Sequence, residues 1–324
     1  MKAILLRIVQ ILVTIGVLVW VFHDHQLRAN LPMVLRRAEP GWLLLGIACD
    51  GAGELANIFR WQIFLRMQNV KVPLARTAMV FMIGVFFSLF LLGVIGGDVA
   101  RAAYLCADQD DKKRGVILSV VADRLIGMLV MVPFAVVIVV LRYRWFQQTP
   151  TARSLFWLLI VFLVAMTTFF VFAFVVTRRR SIDRLPRWIT RHESLVRTIK
   201  ACALFGRSGR DGLIAYLLSV PVLFGMFVAF YCASRAFHAS VSLLDMFSIM
   251  PIITVVTSLP ISVSGIGVRE QLFKNLLWDL TRTPGEVAVL ISIAGFLCYV
   301  CWSLVGAVIW LGSKPAHGEK QTRS

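Results

Sequence analysis

About eight apolar runs, each near the ~20 residues that a helix rising 1.5 Å per residue needs to cross a hydrocarbon core, dominate the sequence. They lie near 3–22, 41–59, 74–95, 115–141, 155–176, 212–234, 243–261 and 286–311. Unpaired backbone amides are too costly in hydrocarbon for anything but helices or closed barrels, and runs of this length and continuity predict helices. The fold class is therefore all-α, a polytopic helical membrane protein. Composition agrees, with 59% hydrophobic and 16% charged residues among 324 and a mean hydropathy of +0.80, where a soluble domain keeps about 25% charged. The longest polar stretch, Thr177 to Asp211, is too short for a core of its own. One membrane domain over 1–311 with a polar tail over 312–324 is the organisation this predicts. A further stretch, Ile266 to Leu280, is amphipathic and too short and polar to span. Lys2 and Arg7 precede the first run, which ends at Phe22 without a small-residue cleavage site, so it reads as a retained anchor.

The net charge of +17 fits Lys and Arg held on the cytoplasmic side of a membrane. No nucleic-acid-binding motif accompanies it, so nucleic acid is not an expected partner. The densest basic stretch, from Arg178 through Arg184, Arg187, Arg191, Arg197 and Lys200 to Arg210, should be cytoplasmic. Strict alternation from a cytoplasmic N-terminus puts it outside. If the third run is instead a re-entrant hairpin opening to the cytoplasm, and the seventh one opening outward, the basic excess returns inside and both termini are cytoplasmic. Within the basic stretch Ile182, Leu185, Ile189, Val196, Ile199 and Ala203 recur at helical spacing. That predicts an amphipathic helix over about 182–206 on the cytoplasmic surface, which either gathers anionic lipid or simply marks topology.

Small residues followed by charge close both proposed hairpins. The first has Gly96, Gly97, Asp98 and then Arg101; the second has Ser262, Ser264, Gly265, Gly267, Arg269 and Glu270. Glycine tolerates the backbone angles of a hairpin tip, so Gly96, Gly97, Gly265 and Gly267 are the expected bending points, and Ser262 and Ser264 can cap a broken helix or bind a headgroup. Two broken helices in opposite halves of a chain mark an inverted-repeat transporter with its site near the midplane; two ordinary Gly-rich loops would read the same way.

Charged residues inside the runs narrow the chemistry. Asp50, Glu54 and Asn57 fall at i, i+4 and i+7 on one helix face. A central carboxylate costs about 2.5–3.5 kcal/mol on insertion scales. This face is a proton or cation coupling site, a counter-charge for a cationic headgroup, or a buried partner for Arg124 or Arg269. Asp123 and Arg124 are neighbours about 100° apart on a helix, so they join different contacts. Arg124 suits a lipid phosphate or the Asp98 carboxylate, since a guanidinium fork matches either, or it snorkels to the interface. The six cysteines are scattered, Cys298 and Cys301 lie in an apolar run, and His23 and His25 have no further ligand nearby. No metal site and no cofactor is expected.

The stretches Gly96-Gly97-Asp98-Val99-Ala100-Arg101, Ser119-Val120-Val121-Ala122-Asp123-Arg124-Leu125 and Leu259-Pro260-Ile261-Ser262-Val263-Ser264-Gly265-Ile266-Gly267-Val268-Arg269-Glu270, with the Arg60-Trp61 pair, resemble the transmembrane region of the lysylphosphatidylglycerol synthase/flippase family over roughly 3–311. In that family's two-domain members the membrane region flips an aminoacylated phosphatidylglycerol made by a C-terminal soluble domain. Here only Gly312 to Ser324 follow, so the resemblance implies a stand-alone flippase-like region without the synthase domain. It further implies that Asp98, Arg101, Arg124, Arg269 and Glu270 line a polar cavity. The expected function is translocation of a lipid with an anionic or modified headgroup across an inner or plasma membrane, with membrane lipids as partners. The alternatives are an integral membrane lipid-modifying transferase using Asp98 or Glu270 as base, and an accessory subunit of a separately encoded lipid synthase. Neither a nucleotide-phosphate loop nor a nucleophile elbow is present to favour the transferase.

Overall fold

A computed structural model describes residues 34, 36–90, 94–178, 209–258 and 262–313. Among them every regular element is helical: α1 (Pro40–Met67), α2 (Leu74–Phe90), α3 (Val94–Asp108), α4 (Lys113–Leu141), α5 (Tyr143–Phe146), α6 (Pro150–Arg178), α7 (Gly209–Ala236), α8 (Leu243–Ser258), α9 (Val268–Thr281) and α10 (Gly285–Gly312), with single 3-10 turns at Asp110–Lys112 and Val263–Gly265. Helices α1, α4, α6, α7 and α10 are long and apolar enough to cross a membrane; α2 and α8 are apolar but shorter. Of the runs at 74–95 and 243–261, residues 74–90 form α2 and 243–258 form α8, and the weak stretch at 266–280 gives most of α9. The first run at 3–22, the amphipathic helix over 182–206 and the tail from 314 onward lie outside the described residues.

Helix ends follow local chemistry. α1 stops at a left-handed Asn69 (φ 56°), a conformation asparagine tolerates, and Val70 N donates back to Leu65 O at 2.9 Å. Pro73, which cannot continue a helix but can start one, precedes α2 and accepts from Thr77 N at 3.0 Å. α9 closes at a left-handed Arg282 (φ 57°), and Pro284 follows it.

Two compact units divide the chain. One comprises Met1–Leu55, Met128–Thr168 and Val220–Cys301, the other Ala56–Gly127, Phe169–Ser219 and Trp302–Ser324. The second unit contains the antiparallel α2–α3 pair. A Cβ at Gly97 would collide with Ser88 Oγ and Gly84 O, so glycine is what lets the two backbones approach. At the open ends of this pair, Arg76 at the start of α2 donates twice to Asp108 at the end of α3 (2.8 and 3.1 Å). Lys112 donates to Asn69 O, so the turn before α2 and the turn before α4 are joined at the same mouth. α10 packs here too, with Trp310 stacked on Phe86 (5.8 Å) and donating to the Tyr104 hydroxyl at 2.7 Å.

The first unit contains α8 and α9 and a large apolar core that includes Phe146, Phe227, Met246, Ile249, Phe273 and Ile291. Phe134, Phe224, Phe227 and Phe247 meet edge-on or tilted at centroid separations from 5.1 to 5.9 Å, the geometry aromatic quadrupoles prefer. Both open ends of this second pair meet the connection between α4 and α6: Arg142 is ion-paired with Asp245 of α8, and Thr149 Oγ1 donates to Asp279 Oδ2 of α9 at 2.9 Å. Large apolar side chains turned outward on the long helices, such as Val140, Val161, Val308 and Leu311, are more than 60% exposed. A soluble protein would not present such a face along every long helix.

Candidate functional site

Within the second unit, five charged side chains from three helices meet. Asp98 and Arg101 are one turn apart on α3 and share a face; Asp123 and Arg124 are adjacent on α4 and diverge. Arg60 on α1 donates from Nε to Asp123 Oδ1 at 2.7 Å and from Nη1 to Ser219 Oγ at 3.0 Å. Arg101 Nη1 donates to Asp123 Oδ2 at 3.2 Å, and its Nη2 donates to Asp98. Arg124 Nε donates to the other oxygen of Asp98. The Arg101 guanidinium also lies over the rings of Trp61 (5.1 Å) and Phe81 (4.9 Å), while Trp61 Nε1 donates to Ser119 Oγ at 3.1 Å.

Arg60, Arg101 and Asp123 are all at least 94% buried. An ion taken out of water costs several kcal/mol, so these three persist only because each is paired in good geometry. Among the described residues the cluster brings together three guanidinium groups and two carboxylates. Its most exposed member is Arg124, whose side chain retains 37% exposure.

Within the first unit, Arg269 and Glu270 form a smaller and neutral group. Arg269 Nη2 donates to Glu270 Oε1 at 2.9 Å, and Arg269 Nε donates to Ser292 Oγ at 3.1 Å. Ser292 in turn donates to Glu270 Oε1 at 2.9 Å, and the guanidinium of Arg269 lies 4.0 Å from the Phe296 ring centroid. Glu270 also caps α9, since its Oε2 accepts from Gly267 N at 2.5 Å, the placement a helix N-terminus favours for a carboxylate. Gly265 (φ 74°) and Gly267 (φ 86°) hold left-handed angles at this bend, and Ser264 joins them at φ 50°. The Ser262 hydroxyl is buried with no hydrogen-bond partner.

The glycines thus divide. Gly265 and Gly267 take positive φ angles at a bend, whereas Gly96 and Gly97 lie in the first turn of α3, with Gly97 serving close packing. Asp50 is buried in α1 and Glu54 one turn on is half-buried. The arginines proposed as partners for Asp50 pair elsewhere, Arg269 with Glu270 and Arg124 with Asp98, and Asp50 Oδ2 has no hydrogen-bond partner.

The sequence pattern leaves Arg60 out of the site, because the apolar run ends at residue 59 and Arg60 falls just after it. α1 runs on to Met67, and Arg60 is buried in it. The signal was the Arg60-Trp61 pair itself. Ser219, Ser292 and Phe296 carried none, being ordinary residues of apolar helices. A recess of about 520 Å³ lined by Gln68, Asp111, Lys112, Lys113, Arg114 and Gly115 lies at the α2–α3 mouth and shares no residue with the charge cluster.

Long apolar helices with lipid-type outer faces and ion-paired clusters set among them define a polytopic helical membrane protein. The chain belongs to the family described as the lysylphosphatidylglycerol synthase TM region, which it matches over residues 7–306. No curated protein and no solved structure matches it.

Proposed function

We propose that this protein translocates a lipid with an anionic or modified headgroup across an inner or plasma membrane, its tails remaining in the bilayer. The observation that carries this reading is the cluster of Arg60, Arg101, Arg124, Asp98 and Asp123 held among apolar helices, in which the Arg124 guanidinium, paired with Asp98, keeps 37% side-chain exposure. A guanidinium binds a phosphate oxygen pair in the same way it binds a carboxylate, so a headgroup phosphate can take up the interaction that Asp98 otherwise makes. Membership of a lipid-handling family supports the same substrate class. Asp98 and Glu270, the candidate bases of a transferase, are both engaged by guanidinium groups, and nothing in their geometry favours that alternative.

In this reading the α2–α3 pair is a re-entrant hairpin opening to the cytoplasm, where the basic mouth around Lys112, Lys113 and Arg114 meets anionic lipid, and the α8–α9 pair opens outward. Purified protein in liposomes with fluorescent anionic, zwitterionic and aminoacylated lipids provides the test. Wild type should scramble headgroups selectively, and Arg124→Gln should slow the preferred lipid on the order of tenfold or more, the worth of a charge-assisted hydrogen bond. No movement of any headgroup by wild type would overturn the reading.

A further inference from the structure

Asp50 is the buried carboxyl that neither charge cluster uses. It sits on a stretch of α1 that packs closely against α7 and α10. A Cβ at Gly225 of α7 would stand 2.6 Å from Cys49 O, one at Gly53 would stand 3.3 Å from Pro221 O, and one at Gly46 would stand 3.2 Å from Cys298 Sγ of α10. This seam of small residues leaves Asp50 6% exposed, with Oδ2 lacking a partner. Among the described residues the titratable groups around it are few. Glu54 stands one turn along α1, Cys49 is adjacent, Cys232 comes from α7, and Cys298 and Cys301 come from α10; Asp50, Cys232 and Cys301 all lie within electrostatic range of Cys298. No lysine or arginine of α7 or α10 is among them.

A buried carboxylate with one oxygen lacking a hydrogen-bond partner in such surroundings must be protonated or reach water. A bare metal cation needs several oxygen ligands, and thiols with a second carboxyl do not supply them. The proton is the cation this site is built for. We propose that Asp50 is a proton-binding site that couples lipid movement to proton movement: its carboxylate takes a proton from water on one side of the membrane, travels as the neutral acid while packed against α7 and α10, and returns the proton to water on the other side. This rests on the translocation reading above.

The test uses full-length protein in liposomes with fluorescent phosphatidylglycerol and a pH-sensitive dye inside, the membrane potential clamped. With one proton per lipid, an imposed gradient of one pH unit should drive about a tenfold imbalance of labelled lipid between leaflets, accompanied by proton flux and abolished by a proton-exchanging ionophore. Asp50→Asn should lose the imbalance and the flux. Dicyclohexylcarbodiimide, which attacks protonated carboxyls in apolar sites, should modify Asp50 of the wild type less as pH rises, a readout that does not depend on the variant folding. Lipid movement by wild type that ignores the gradient and carries no protons would overturn the coupling and leave translocation standing, as would failure of the carbodiimide to reach Asp50. Absence of any lipid movement would overturn both.

Discussion

Asp123 shows why single residues in this protein cannot be valued alone. It holds Arg60 at 2.7 Å and Arg101 at 3.2 Å, so removing its charge weakens two buried guanidinium groups at once, leaving Arg60 with the Ser219 hydroxyl and Arg101 sharing Asp98 with Arg124. Asp123→Asn should lower stability by about 3–5 kcal/mol, the cost of breaking a buried pair, read as thermal unfolding in detergent. Arg60→Met combined with Asp123→Leu, which removes both a cation and an anion, should cost less than Asp123→Asn alone. The residue types here were legible and the partners were not. Asp98, Arg101, Asp123 and Arg124 stood out because charge inside apolar runs is expensive. Arg60 did not, because its partner lies 63 residues away and no local pattern records that distance.

At the scale of elements, the two short helix pairs are set by where small residues fall. Gly97 abuts Gly84 O, and the stem of Arg101 crosses Gly84 itself. Gly97→Val should separate α2 from α3, destabilise by about 1–3 kcal/mol or more as overpacking does, and loosen the Arg101 contacts to Asp98 and Asp123. The measurement is the unfolding midpoint together with loss of headgroup transport. Gly265→Ala strains a left-handed residue and meets Thr257 Cβ at 2.8 Å, so it should be harmful even though the added group is one methyl. The sequence pattern predicts a break at both sets of glycines, but Gly96 and Gly97 lie within α3. That pattern could not say that one set of glycines bends the chain while the other lets helices touch, since both uses need the same missing side chain.

For the molecule as a whole, the topology is the property most open to measurement. Arg76 with Asp108, and Lys112 with Asn69, tie the open end of α2–α3 to one mouth; Arg142 with Asp245, and Thr149 with Asp279, tie the open end of α8–α9 to another. If these pairs are re-entrant as proposed, an impermeant thiol reagent should label Lys112→Cys only from the cytoplasmic side and Asp279→Cys only from outside, in a background with the native cysteines replaced by serine. Labelling of both from one side would remove the re-entrant topology.

Helix content, approximate spans and membership of a lipid-handling membrane family were determined by the sequence alone, because the hydrocarbon solvent enforces helical hydrogen bonding within each segment. Such constraints act over about 20 neighbouring residues and leave their mark on linear pattern. The joining of α1, α3 and α4 through Arg60, Arg101, Arg124, Asp98 and Asp123, the separate grouping of Arg269 with Glu270 and Ser292, and the burial of Asp50 with Oδ2 lacking a hydrogen-bond partner were decided by tertiary structure. Ion pairing and close packing depend on distances between side chains remote in the chain, and a charge in an apolar run shows only that some compensation exists, not which residue supplies it.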